Sequence, residues 1–173
     1  MRLGLHGQVR RRWTPRGIQL WQRVEVKYQW RYLAVAVSAV GALRWRWLEN
    51  MRKEAIAETI SAWAHDGIGA LVWDSAPSHR AKLVREVGPP LLALPPYSPE
   101  LNPAERVFEE LRRAVEGRVW GRVWGTVEAK AAAVDALLQD LARSPERVQR
   151  LAGWPWIRVA LSELPLQPFP ATL

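Results

Sequence analysis

The apolar residues follow three different patterns over the first third of the chain, and each pattern predicts a different element. Residues 29–40 (QWRYLAVAVSAV) are rich in valine and aromatic residues, which favours a β strand. Residues 42–48 alternate arginine with tryptophan, and Gly41 separates the two runs, so we predict an antiparallel hairpin. In residues 52–65 the apolar side chains recur at helical spacing, which predicts an amphipathic helix.

Two shorter apolar runs follow, and both are typical of buried strands. Residues 68–73 (IGALVW) end at Asp74, and residues 90–94 (PLLAL) lead into a proline-rich stretch, with a short helix predicted over residues 80–86. This order of elements predicts an α/β fold with a mixed sheet flanked by helices. Because ligands and catalytic groups gather at the C-terminal ends of strands in such sheets, Asp74 is a candidate site residue.

The proline-rich stretch ends in a strong helix-start signal. Asn102 is placed to cap a helix whose first residue is Pro103, and Glu105 then falls in the first turn. The helix dipole favours a carboxylate there, so from the spacing alone capping is the simpler role for Glu105. The other role is metal binding, since two carboxylates from separate elements, Asp74 and Glu105, can converge on one divalent ion.

The C-terminal part of the chain predicts helices and then a tail. Residues 126–142 form an alanine- and leucine-rich helix pattern capped by Thr126, and residues 144–152 form a second, shorter one. The repeat GRVWGRVW at residues 117–124 is too short for a repeat architecture, and we assign it no chemistry. We therefore expect one domain over residues 1–153 and an irregular proline-rich tail over residues 154–173.

The composition narrows the classes of function. The 173 residues include no cysteine, which excludes disulfides, thiolate metal sites and cysteine nucleophiles. The longest apolar run, residues 33–43, is about half of what a membrane span needs, and no signal-peptide core precedes it. We expect a soluble, cytoplasmic protein without a membrane partner. The net charge of +8 fits a nucleic-acid partner, although a basic soluble protein without one fits equally well.

Arginines near the N-terminus and in the predicted hairpin are the candidate DNA-binding residues. The alternative for the N-terminal group is a solvated, charged sheet edge. Interleaved tryptophans in the hairpin can stack on bases, but we favour the interpretation that they cover the core, because a hairpin here must pack against helices. The candidate residues are Arg10, Arg11, Arg12, Arg16, Arg44 and Arg46.

Two motifs together resemble the catalytic core of DDE-type transposases, in the bacterial insertion-sequence branch of the mariner superfamily. They are DSAPSH, which starts at Asp74, and LPPYSPELNPAERVFEEL, which starts at residue 94. The family patterns are D-N-A-x-x-H and P-P-Y-S-P-x-L-N-P-I-E-x-x-W. The chain departs from them at Ser75, Ala104 and Phe108, which replace Asn, Ile and Trp. The resemblance extends from about residue 2 to about residue 157 and implies an RNase H-like fold.

The resemblance also implies an activity, namely metal-dependent DNA strand cleavage and strand transfer. Asp74 and Glu105 match the second and third acids of the family's catalytic triad, which in the complete enzyme holds two Mg²⁺ or Mn²⁺ ions. With this match, metal binding becomes the favoured role of Glu105. His79 matches the family's histidine and either supports the metal site or is an ordinary loop residue. Asn102 either supports the site or only caps its helix.

The first acid of the triad has no counterpart in the chain. In the family it belongs to an Asp–Glu pair that immediately precedes a segment similar to residues 2–17. The resemblance therefore implies an N-terminally truncated catalytic domain, with its first catalytic strand missing or incomplete, that is inactive alone. The alternative is a catalytically inactive, basic DNA-binding or assembly remnant. Implied partners are transposon-end and target DNA, and a second copy of the chain or the product of an upstream reading frame.

Overall fold

The computed structural model describes residues 1–5, 13–19, 21, 26–74, 76–95, 97–116 and 123–162. Several sequence-based predictions lie outside these residues: those for Arg10, Arg11, Arg12, Ser75, most of the GRVWGRVW repeat, and residues 163–173.

Three strands form an antiparallel sheet in the order β1-β2-β3. Strand β1 covers Arg2–Gly4, β2 covers Trp30–Val37 and β3 covers Leu43–Leu48. The predicted hairpin is confirmed, and its turn uses Gly41 at φ 92°, in the left-handed region that glycine enters without a Cβ penalty. The sequence analysis predicts no strand over Arg2–Gly4, so β1 was missed.

Two further strands in the described part of the chain form a separate parallel sheet. Strand β4 covers Leu71–Trp73 and β5 covers Leu91–Ala93, close to the predicted runs. The expected α/β class is observed, but the strands form two small sheets of opposite type. Among the residues that the structure describes, no strand joins β2 to β4.

Six α-helices accompany the sheets in the described part of the chain. One prediction is wrong here: the segment after residue 153 was expected to be irregular, yet residues 155–162 are helical. A proline is tolerated at the first helical position, where its missing N–H is not needed, and Pro155 occupies that position. No helix among the described residues has the length and apolar character to cross a membrane. The helices are α1 (Lys53–His65), α2 (Lys82–Glu86), α3 (Pro103–Glu116), α4 (Val127–Ala142), α5 (Pro145–Ala152) and α6 (Pro155–Ser162).

Two apolar clusters hold the helices against the sheets. The larger cluster lies between the antiparallel sheet and helices α3, α4 and α5, with Leu33, Val107 and Leu138 fully or almost fully buried. The smaller cluster joins α1 and α2 to the parallel sheet around Ile60 and Val84. Each cluster stabilises one side of the molecule, and the space between β2 and β4 separates them.

The hairpin tryptophans contribute to the larger cluster, which confirms the prediction that they cover the core. Trp45 and Trp47 pack against it, and both indole N–H groups donate to Oδ1 of Asp135 in α4, at 3.0 and 2.8 Å. One carboxylate oxygen therefore fixes β3 against α4. This role leaves the two rings unsuited to stacking on nucleic-acid bases.

Candidate active site

Asp74 immediately follows β4, and a local turn fixes its carboxylate. Its Oδ1 accepts a hydrogen bond from the backbone N–H of Ala76 at 3.2 Å and lies 2.7 Å from Nδ1 of His79. The His79 ring belongs to the 3₁₀ helix Pro77–Arg80 and stacks on Trp73, with ring centroids 4.3 Å apart and planes 4° apart. The stack and the contact with Asp74 together orient His79, so its position is more constrained than that of an ordinary loop residue.

Glu105 lies in the first turn of α3, as predicted, and Asn102 rather than Glu105 caps the helix. Asn102 accepts a hydrogen bond from the Ala104 N–H through its side-chain oxygen at 3.1 Å and another from the Glu105 N–H through its backbone oxygen at 3.0 Å. The predicted N-cap role of Asn102 is confirmed. The Glu105 carboxylate instead lies 3.8 Å from the guanidinium of Arg112, two turns further along α3.

Asp74 and Glu105 line one cavity of about 590 Å³, and His79 and Asn102 line it too. The cavity lies between β2, β4 and the start of α3, and most of its other lining residues are apolar. The structure therefore brings together the four residues that the sequence motifs selected. The sequence analysis missed Trp73, which stacks on His79, and Arg112, which pairs with Glu105. An aromatic residue directly before Asp74 was a visible signal for Trp73.

Met1, which carries the N-terminal amine, lines the same cavity as the two carboxylates. The amine donates to the backbone oxygen of Leu33 at 2.6 Å. Burial lowers its pKa from 8.0 to about 6, with a further lowering by Arg112, while the negative charges of Glu105 and Asp74 oppose the shift.

Of the candidate DNA-binding arginines, the three that the structure describes, Arg16, Arg44 and Arg46, do not line this cavity. Arg16 is exposed in a turn near residues 14–18, and Arg44 is exposed on β3. The guanidinium of Arg46 forms an ion pair with Glu58 in α1, which offsets its charge. Arg44 is thus better placed than Arg46 to contact phosphate.

The side chains around the cavity fit a divalent cation in part. Oxygen ligands suit Mg²⁺, which keeps several waters and is usually held by one or two carboxylates together with substrate phosphates. Asp74 and Glu105 supply such oxygens. Within the described residues, however, no group of three or more histidine, cysteine, aspartate or glutamate side chains could hold a metal ion.

Comparisons with known proteins agree with this description. The solved structure of the Mos1 transposase paired-end complex with left transposon end is similar in fold, with a TM-score of 0.59 at 15% identity over 88% of this chain. This similarity supports an RNase H-like α/β fold. The chain spans about half of that protein, 53% of its length. A comparison with curated protein sequences finds no match. Residues 1–123 match the family profile of the DDE superfamily endonuclease domain, and the chain belongs to that family.

Proposed function

We propose that this chain is the catalytic-domain part of an insertion-sequence transposase, which cleaves DNA strands at transposon ends and joins them to a target. The observation that carries the proposal is that Asp74 and Glu105 line one cavity in a chain of the DDE endonuclease family. The structural neighbour is itself a transposase in complex with a transposon end, which supports DNA as the substrate class.

The four motif residues have distinct roles in this proposal. Asp74 and Glu105 would hold Mg²⁺ or Mn²⁺, and bound ions would polarise the scissile phosphate and activate the attacking hydroxyl. His79 is a positioning residue, because its ring contacts the Asp74 carboxylate and is itself held by Trp73. Asn102 fixes the start of α3 and thereby the position of Glu105.

The proposal includes a site that is incomplete in the isolated chain. Two-metal catalysis needs ligands that hold both ions at a fixed separation, and the described residues include no group of three or more candidate ligands. We propose that the first acid of the triad is supplied by the Asp–Glu pair that the resemblance puts just before residue 1. Without it the ions are loosely held, and a misplacement of about 1 Å can cost about a hundredfold in rate. The isolated chain is therefore expected to be inactive.

A second candidate function follows from the charge of the chain. The net charge of +8 and exposed arginines such as Arg44 also suit a basic DNA-binding or assembly remnant without catalysis. This alternative predicts DNA binding by both the isolated chain and a longer product, and cleavage by neither.

A strand-nicking assay on transposon-end DNA with Mg²⁺ or Mn²⁺ separates these possibilities. We expect no cleavage by the isolated chain, and cleavage by a product extended N-terminally through the Asp–Glu pair and the DNA-binding region. In the extended product, Asp74→Asn and Glu105→Gln should abolish cleavage. Glu109→Gln is the matched control, because this exposed carboxylate lies one turn along the same helix and pairs with Arg106. Cleavage by the isolated chain, or cleavage that survives Asp74→Asn, would contradict the proposed site.

A further inference from the structure

The cavity that holds the two carboxylates has an exposed tryptophan at its rim. Three tryptophans among the described residues line the cavity, and they are Trp63, Trp73 and Trp156. Trp63 is buried and Trp73 stacks on His79, whereas Trp156 in α6 is 41% exposed. A flat ligand can still bury the surface of this ring, and burial of aromatic surface is favourable.

Contacts between α6, α5 and α3 fix the surroundings of the Trp156 ring. Trp154 forms an edge-to-face pair with it, with ring centroids 6.3 Å apart and planes at 74°. The Trp154 indole N–H donates to the backbone oxygen of Arg150 at 3.3 Å, and the guanidinium of Arg106 lies 4.9 Å from the centre of the same ring. Ile157, the residue after Trp156, is buried. A ring that packed neighbours already position loses little conformational entropy when it binds.

The surface beside the two tryptophans is basic. Arg150 and Arg158 are exposed, and neither forms an ion pair with any residue that the structure describes. Both lie close to Trp154, because the Arg150 oxygen accepts from its indole and the Arg158 N–H donates to its backbone oxygen at 3.1 Å. Guanidinium groups of this kind attract phosphate. Aromatic rings accompanied by cations are typical of surfaces that bind single-stranded nucleic acid, where bases stack on the rings and cations follow the backbone.

We propose that Trp156 is a stacking platform for one unpaired nucleobase at the mouth of the cavity, with Arg150 and Arg158 attracting the phosphates of the same strand. A base inside a duplex already stacks on its neighbours, so the ring selects a base at a strand end or in a single strand. Because Trp156 lines the same cavity as Asp74 and Glu105, a base stacked there keeps the strand close to the two carboxylates.

This inference deepens the proposed function and rests on it, because DNA is the substrate in both. It adds a base-binding residue outside residues 1–123, the part of the chain that matches the family profile. The ring and the two arginines belong to α5 and α6, and only the packing of these helices against the start of α3 brings them to the cavity.

Fluorescence of 2-aminopurine, which stacking quenches, tests the proposal on the full chain. The probe is a DNA duplex with a single-stranded overhang that carries this base analogue, and a duplex with the analogue at an internal, paired position is its control. The protein variants are Trp156→Leu, which keeps apolar bulk without a ring, and Trp156→Phe, which keeps a ring. Trp21→Leu is the matched control, because Trp21 is 82% exposed and does not line the cavity.

We expect the original chain to quench the overhang probe more than the internal one. Trp156→Leu should bind the overhang about five- to hundredfold more weakly, as loss of one base–aromatic stack predicts. Trp156→Phe should retain most of the binding, and Trp21→Leu should match the original chain. If Trp156→Leu fails to fold in urea denaturation, the comparison of the two probes on the original chain decides the outcome.

Three results would overturn the proposal. They are equal quenching of the two probes by the original chain, equal affinity of the original chain and Trp156→Leu for the overhang, and an equal loss of affinity in Trp21→Leu. Self-association that Trp156→Leu abolishes, without preference for the overhang, would assign the ring to a protein interface and would overturn it too. All measurements are made with a chelator and without cleavage, so failure here is distinguishable from failure of the proposed function.

Discussion

The N-terminal amine offers a direct test of the geometry around Asp74 and Glu105. Its pKa is about 6 in the folded chain against 8.0 for an ordinary amine, mainly because the group is buried. Between these two pH values the unfolded chain binds more protons than the folded chain, so stability rises as the pH increases from about 6 to 8. Below about pH 6 the folded chain bears the full free-energy cost of burying the protonated amine, and above about pH 8 this cost is absent.

The size of this change in stability follows from the shift in the pKa of the Met1 amine. At about 1.4 kcal/mol per pH unit, a pKa moved from 8.0 to about 6 is worth up to about 2.7 kcal/mol. For a chain of this length, about 2–4 °C of Tm per kcal/mol gives a Tm change of roughly 5–11 °C across the window. Acetylation of Met1 removes the titrating charge but keeps the N–H that bonds to Leu33. The difference in Tm between the free and acetylated chains therefore isolates the amine from other titrating groups.

The two acids then provide the geometric test. Both carboxylates raise the amine's pKa, so Glu105→Gln and Asp74→Asn should each lower it further, while Glu109→Gln should leave it unchanged. The measurement is an NMR titration of the Met1 resonances in chelator-containing buffer. An amine that titrates near 8, or that responds to Glu109→Gln as strongly as to Glu105→Gln, would refute the assigned arrangement.

Three further predictions concern stability, metal binding and DNA binding. Asp135→Ala should lower the free energy of unfolding by about 2–4 kcal/mol, because it removes the charged acceptor of two indole N–H groups. The control, Asp140→Ala, changes an exposed residue of the same helix and should lower it by less than about 1 kcal/mol. Urea denaturation measures both values. Mn²⁺ binding measured by electron paramagnetic resonance should be weak, and it should be lost in Asp74→Asn but retained in Glu109→Gln. Equal Mn²⁺ binding by the two variants would exclude Asp74 as a ligand. DNA affinity measured by fluorescence anisotropy should fall as the salt concentration rises. Arg44→Ala should reduce the magnitude of the slope of log K against log salt by about 0.9. An equal slope in the original chain and in Arg44→Ala would exclude a phosphate contact by Arg44.

Local signals in the sequence were sufficient for most elements. The Asn102-Pro103 pair predicted the start of α3, and Thr126 predicted the start of α4, where its hydroxyl accepts from the Ala129 N–H at 3.1 Å. Gly41 and the period-two pattern predicted the hairpin. These signals succeed because caps, tight turns and amphipathic periods depend on residues that are close in sequence.

The sequence failed where an element depends on distant partners. Strand β1 covers only Arg2–Gly4, and its pairing with β2 is what defines it as a strand. Helix α6 was missed because the proline-rich composition of its segment suggested irregular structure, although Pro155 opens the helix and Ile157 is buried. Very short strands and terminal helices have weak periodicity, so tertiary contacts decide whether they form.

The motifs by themselves selected Asp74, His79, Asn102 and Glu105, since a specific spacing of residue types is a property of the sequence. Only the tertiary structure decided that these side chains line one cavity, that Trp73 holds His79, and that the described strands form two separate sheets. The physical reason is that strand pairing and ring stacking join residues far apart in the chain. Their geometry follows from packing, which no local pattern records.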